Sequence, residues 1–187
     1  MKPGQKFRNA LKNNKPLIIP GTINAYSAKL AELANHNSIY LSGSGVAAAS
    51  YGLPDLGVTT LENVLIDAKR ITSATSLPLL VDIDTGWGDF DAISNTIIEM
   101  SNANVAAVHI EDQIFDKRCG HRPNKQLVSI DEMQDRLKAA LDAKIDDSFF
   151  IMARTDALAS EGIEKAIERC GKYCLLYTSP SPRDLLK

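Results

Sequence analysis

Two carboxylates separated by a single residue, Asp82 and Asp84 in Leu80-Val-Asp-Ile-Asp-Thr-Gly86, carry the sharpest chemical signal in the chain. At positions i and i+2 of a strand they face the same side. Two like charges on a mostly apolar strand are costly unless a cation or a proton lies between them. All-oxygen ligation favours Mg²⁺ or Mn²⁺ over zinc. Glu111, at the end of the next apolar run, is placed to join through a water. The competing reading is that one Asp only caps the turn that follows.

A second signal is Lys117-Arg-Cys-Gly-His121. Cations beside a thiol favour its thiolate, so Cys119 suits a nucleophile or proton donor; a surface cysteine amid solvated charge is the rival. Ser42-Gly-Ser-Gly45 follows a strand and loosely fits a dinucleotide fingerprint through Gly43, Gly45 and Ala48. Pro54 comes too early, and no acidic residue ends a second strand at the expected distance. A glycine loop whose N–H groups approach a carboxylate or phosphate suits these residues better. Asp55 sits in a turn, where capping and chemistry are both open. Arg154 follows a buried strand. His109 reads as a satisfied core histidine and His36 as exposed.

These groups need a scaffold that brings them together. Short runs rich in Leu, Ile and Val at Leu17–Ile23, Ser38–Leu41, Leu77–Ile83, Val105–Ile110 and Phe149–Ala153 read as strands buried on both faces. Helical patterns lie between them. Phe7, Ala10 and Leu11 share one face of an N-terminal helix, and Thr59-x-x-Glu62 and Ser129-x-x-Glu132 have capping-box spacing. Ile163, Ala166, Ile167 and Cys170 repeat at helical intervals. Five βα units predict a parallel α/β sheet. Polar groups at successive strand ends (Ser42, Asp82 and Asp84, Glu111, Arg154) favour a (β/α)₈ barrel over a doubly wound sheet. A full barrel needs ~200 residues or more, so residues 1–173 are expected to be its N-terminal part. Prolines 180 and 182 break the rhythm, and residues 174–187 read as a tail foreign to the fold.

Composition bounds the partners. Of 187 residues, 44% are hydrophobic and 24% charged, with 21 basic against 23 acidic side chains and a net charge of −2. That balance gives no basic field for nucleic acid or an anionic membrane. No apolar run approaches the ~20 residues of a membrane-spanning helix. No acidic residue precedes Glu32, yet no signal-type apolar segment accompanies the basic ones. Cys119, Cys170 and Cys174 are too scattered for a disulfide framework, so a reducing cytoplasm is the expected setting.

Several longer stretches carry a resemblance: Gly21-Thr-Ile-Asn24, Tyr40-Leu-Ser-Gly43, Gly52-Leu-Pro-Asp-Leu-Gly57, Leu79-Leu-Val-Asp82, His109-Ile-Glu-Asp-Gln113, Lys117-Arg-Cys-Gly-His-Arg-Pro-Asn-Lys125 and Ile151-Met-Ala-Arg-Thr-Asp-Ala157. Together they resemble the isocitrate lyase and phosphoenolpyruvate mutase superfamily, and within it the lyases that cleave 2-methylisocitrate. The resemblance implies a Mg²⁺-dependent (or Mn²⁺-dependent) retro-aldol cleavage to pyruvate and succinate, in propionate catabolism. It implies that Asp82 and Asp84 hold the metal, with Glu111 in the outer sphere. Ser42, Gly43 and Ser44 would hold the pyruvate-derived carboxylate, with Asp55 also among the substrate-binding residues. Arg154 would face the oxygen where negative charge develops, and Cys119 would protonate the succinate side. Gly120 and His121 would grip the succinate carboxylates, and Lys117 would keep that region cationic. A tricarboxylate substrate and a homotetramer of the full-length enzyme are also implied. Ser44 and Trp87 depart from the usual pattern, and the family's later-strand Glu, Asn and Arg have no counterpart. The chain as it stands is therefore expected to be inactive. The alternatives are an isocitrate lyase, against which Arg122-Pro-Asn-Lys125 argues, and an inactive fragment that associates through an open sheet edge.

Overall fold

The computed structural model describes residues 1–115, 117, 119 and 124–177. Its elements run α1 (Pro3–Asn13), α2 (Ala25–Leu33), β1 (Ile39–Leu41), α3 (Gly43–Tyr51), α4 (Leu61–Ala74), β2 (Leu79–Asp82), α5 (Phe90–Asn102), β3 (Ala107–Glu111), α6 (Ile130–Asp142), β4 (Phe150–Arg154), α7 (Leu158–Glu161) and α8 (Ile163–Tyr177). The four strands are parallel and stand in sequence order, β1-β2-β3-β4. A doubly wound sheet reverses its order at a switch point; this sheet advances one strand at a time, as a barrel does.

The expected first strand does not form. Leu17–Ile23 contributes a single bridge, Gly21 to Tyr40. There Thr22 N–H donates to Tyr40 O at 2.7 Å, and Tyr40 N–H donates to Pro20 O at 2.9 Å. Pro16 and Pro20 bring no N–H, so a longer ladder has no donors at those positions. The sheet thus has four paired strands rather than five. Helix starts follow the sequence closely, with one shift. Ser129 caps α6 by accepting from Glu132 N–H, whereas α4 is capped by Thr60 and Asn63, one residue beyond the expected pair. Helix α8 forms as the spacing predicted, but it buries Ala166, Arg169 and Tyr173 and leaves Ile163 and Ile167 exposed. It continues to Tyr177, past the expected tail boundary, and residues 178–187 lie outside the described part.

Strand alternation sorts the sheet into two faces. Ile39, Leu41, Leu79, Val81, Val108, Ile110 and Ile151 pack among the helices in the main core. Leu80 and Ala107, with Tyr40, Phe150 and Met152, form a second cluster on the opposite, inner face. The face shared by Phe7, Ala10 and Leu11 on α1 closes the amino end of that inner cluster. The Phe7 and Phe150 ring centroids lie 5.5 Å apart, and Arg8 lies over Phe150 at 4.8 Å. Gly4 touches the Ser148 backbone so closely that no Cβ fits. The amino end of the inner face is therefore apolar and plugged. Its carboxyl end carries the polar groups.

Candidate active site

Continuing the inner row by two residues from Tyr40, Leu80, Ala107 and Met152 gives Ser42, Asp82, His109 and Arg154, and Glu111 follows His109. Register sets Asp82 beside His109 and Glu111 beside Arg154. Alternation thus gathers four elements' polar ends in one place. Asp84 arrives by a different route from the one expected. Strand β2 ends at Asp82, and Asp84 follows in a left-handed turn at φ 50°. Its N–H donates to Asp82 Oδ1 at 3.1 Å, and this turn is what brings the two carboxylates together. Gly43, at the start of α3, closes the third side. Its N–H donates to Asp82 Oδ2 at 3.4 Å, and a Cβ there would stand 3.2 Å from Asp84 Oδ1.

Lys117 reaches into this pair from the loop after β3. Its Nζ lies 2.5 Å from Asp84 Oδ1 and 3.1 Å from Asp55 Oδ1. The ion pair is close, yet Asp84 Oδ1 has no hydrogen-bond donor aligned with it. Burial, with Asp82 beside it, holds the Asp84 carboxyl up to about 6 against the pull of Lys117. Burial opposes the lysine's charge too, but Asp84, Glu111 and Asp82 outweigh it and keep the ammonium above its ordinary range. Asp55 is thus paired with Lys117 beside the buried carboxylates. Burial would raise it, but a hydrogen bond from Cys119 and the charge of Lys117 hold it below the usual carboxylate range. Cys119 is half-buried and in no disulfide. Its expected neighbours Gly120 and His121 lie outside the described residues.

On the other flank, burial pushes Glu111 up to about 8, with Arg154 and Lys117 pulling the other way. Arg154 Nη1 stands 3.2 Å from Glu111 Oε2. Its Nε and Nη2 donate to Asp156 Oδ1 at 3.3 and 3.1 Å. Gln113 Nε2 bridges the two acids, donating to Glu111 Oε1 at 2.9 Å and Asp156 Oδ2 at 2.7 Å. His109 is buried as expected but only half satisfied. Its Nε2 pairs with the Tyr40 hydroxyl at 3.0 Å, while Nδ1 has no hydrogen bond and lies 3.6 Å from Asp82 Oδ1. Burial keeps this imidazole below its usual range, with Asp82 opposing and Arg154 and Lys117 adding to the fall. His36, read as exposed, is half-buried. Ser42 caps α3, its Oγ accepting from Gly45 N–H at 3.4 Å and meeting Ser44 Oγ at 2.8 Å. Tyr40, Gln113 and Asp156 were not singled out from the sequence. Each stands two residues from one that was (Ser42, Glu111 and Arg154), so strand alternation held the signal.

These residues suit a hard divalent cation. Asp84 Oδ1 is buried without an aligned donor, and Asp82 beside it adds a second carboxylate of hard oxygen ligands, with the His109 Nδ1 nitrogen 3.6 Å from Asp82 Oδ1. Among the described residues no three Asp, Glu, His or Cys groups converge into a metal cage. Mg²⁺ does not need one, since it keeps several waters and is held by one or two carboxylates together with substrate.

The chain matches the family model described as phosphoenolpyruvate phosphomutase over residues 7–175. It is 63% identical over 170 residues to the 2-methylisocitrate lyase of Shewanella oneidensis, covering 91% of this chain and 58% of that protein. It superimposes on oxaloacetate acetylhydrolase in complex with 3,3-difluorooxalacetate with a TM-score of 0.88 at 36% identity, covering 94% of this chain and 61% of that one. For phosphonopyruvate hydrolase in complex with oxalate and Mg²⁺ the TM-score is 0.82 at 32% identity, covering 94% and 60%. The chain thus spans somewhat under two thirds of the length of these proteins. The likeness supports the barrel-type α/β fold that the strand order indicates.

Proposed function

Since the chain belongs to the phosphoenolpyruvate phosphomutase family, we propose that the protein cleaves 2-methylisocitrate to pyruvate and succinate by a retro-aldol reaction that depends on Mg²⁺. The observation that carries this reading is the convergence of Asp82, Asp84, Lys117, Glu111 and Arg154 at the carboxyl ends of β2, β3 and β4. The name of the Shewanella relative and the Mg²⁺ and oxalate of the hydrolase support it.

In this mechanism Asp82 and Asp84 would hold the cation, with Glu111 supporting it from the end of β3. A bound divalent cation supplies Lewis-acid polarisation of the α-hydroxy-acid oxygens. Ser42, Gly43 and Ser44 bind the adjoining carboxylate at the amino end of α3, where unpaired N–H groups and the helix dipole favour an anion. The substrate hydroxyl passes its proton to water, its carbon–carbon bond breaks, the electron pair passes to the succinate carbon, and solvent later returns a proton to the Cys119 thiolate. Arg154 faces the oxygen on which negative charge grows. Cys119 donates its thiol proton to the succinate carbon, and Gly120 and His121 take the succinate carboxylates. Lys117 keeps the site cationic, and Asp55 holds Lys117 and Cys119 at the substrate's end. The same reading makes the enzyme a cytoplasmic homotetramer of propionate catabolism. The exposed stripe of Tyr26, Leu30 and Leu33 on α2 supplies an apolar face for subunit contact. No helix among the described residues is long and apolar enough to cross a membrane.

The test is pyruvate release from 2-methylisocitrate by the full-length protein, measured with Mg²⁺, after chelation, and after Mg²⁺ is restored. Turnover that vanishes and returns is expected. Full activity after exhaustive chelation would remove the metal assignment, and glyoxylate release from isocitrate at a higher kcat/KM would replace the substrate.

A further inference from the structure

We propose that Asp112 is a positioning residue for Arg154, acting through Asp156, and that α8 forms the outer half of this brace; the proposal rests on the lyase reading of the site. Asp112 is wholly buried, one residue past β3. An ionised carboxylate there is costly unless donors surround it, and its donors come from two directions. From the loop after β4, Asp156 N–H donates at 3.0 Å and the Thr155 hydroxyl at 2.6 Å. From α8, the Tyr173 hydroxyl donates at 2.9 Å and Arg169 Nη1 at 3.4 Å.

The first pair matters for chemistry. Asp112 fixes the peptide of Asp156, and the Asp156 carboxylate holds Arg154 by Nε and Nη2. Arg154 is thereby aimed so that its Nη1 meets Glu111 at 3.2 Å. The second pair anchors Asp112 itself. Arg169 is held at both ends, by two 2.7 Å bonds to Glu161 and by a 2.9 Å bond to Val128 O. The order Arg169 and Tyr173, Asp112, Asp156, Arg154 therefore links a helix outside the sheet to a guanidinium inside it. Every link is a hydrogen bond, and Asp112 itself reaches neither Glu111 nor the Asp82 and Asp84 pair.

Asp112→Asn keeps the shape but turns one acceptor into a donor facing a donor. With 2-methylisocitrate and Mg²⁺, kcat is expected to fall roughly 10- to 100-fold, as small misplacements of a reacting group do, with KM nearly unchanged. In an Arg154→Lys background the same change should cost almost nothing more, because residues that act as a unit are not additive. Tyr173→Phe removes one donor only and should give a smaller loss, which guards against a variant that fails to fold. Independently of turnover, the Arg154 Nε–H signal of ¹⁵N-labelled protein should shift and exchange faster in both variants, while amides of β1 and β2 stay put. Equal losses of kcat in the two backgrounds, or an unmoved Arg154 signal, would overturn the proposal. If the full-length parent protein does not cleave 2-methylisocitrate, the lyase reading falls, and the Arg154 signal still decides the brace.

Discussion

Replacing Lys117 by Met keeps the aliphatic stem and deletes the ammonium that faces Asp84 and Asp55. Asp84 is then left with burial and Asp82, both of which oppose its charge. At 2.5 Å the gross attraction is about 7 kcal/mol at an effective dielectric of ~20, which sets a ceiling. Stranding one partner of a buried pair costs about 3–5 kcal/mol in practice. A chain of this length loses about 2–4 °C of Tm per kcal/mol, so a fall of about 6–20 °C is expected. The pH dependence has a definite sign. Without Lys117 the folded-state pKa of Asp84 rises further above its unfolded value. A raised carboxyl takes up its proton on folding, so the penalty is largest at about pH 8 and shrinks as pH falls toward about 5. Thermal melts of parent and Lys117→Met across this range measure the deficit. Adding Asp84→Asn should recover most of it. Saturating Mg²⁺ should restore part, about 2.7 kcal/mol at a hundredfold excess over Kd. A variant that melts with its parent at every pH would refute the idea that Lys117 balances the buried carboxylates.

Gly86→Ala should destabilise the fold by about 1–3 kcal/mol, read by denaturant titration, because φ is +92° and the added Cβ would lie 2.5 Å from Ile93 Cγ1. Cys119→Ser should lower kcat by roughly two or more orders of magnitude while KM moves much less; near-normal turnover would return Cys119 to the surface reading. The 187-residue chain alone, which spans 58% of its Shewanella relative, should release no pyruvate from 2-methylisocitrate, and turnover near that of a full-length relative would contradict this.

The chemistry proved more legible in the sequence than the geometry that produces it. Asp82, Glu111 and Arg154 are the last residues of β2, β3 and β4, so apolar runs ending in charge marked the site. Asp84 was singled out by strand alternation, yet it owes its place to a left-handed turn, a conformation Asp tolerates better than most residues. The first strand does not form although Leu17–Ile23 is apolar, because Pro20 within it and Pro16 just before it bring no N–H to a ladder. Lys117 was read as general positive charge. Its pairing with Asp84 depends on how the loop after β3 folds back, with Ile114 N–H on Gln126 O and Val128 N–H on Asp112 O. No local spacing encodes that return. Asp112 carried no signal of its own either, since its partners lie on α8 and beyond β4.

The plugged, two-ended inner face has a consequence for folding. Leu79, Leu80 and Val81 are apolar on both sides of β2, so grease alone distinguishes poorly between neighbouring alignments of this strand. A slip by one residue would turn Asp82 into the helix layer beside Ile93 and Ile97 and bring Val81 inward. Burying that carboxylate without Gly43 N–H and Asp84 N–H would cost several kcal/mol, a large share of the roughly 5–15 kcal/mol that holds a domain folded. The acidic end of β2 thus works as an index mark. The residues proposed to grip the cation also tell the strand where to stop sliding.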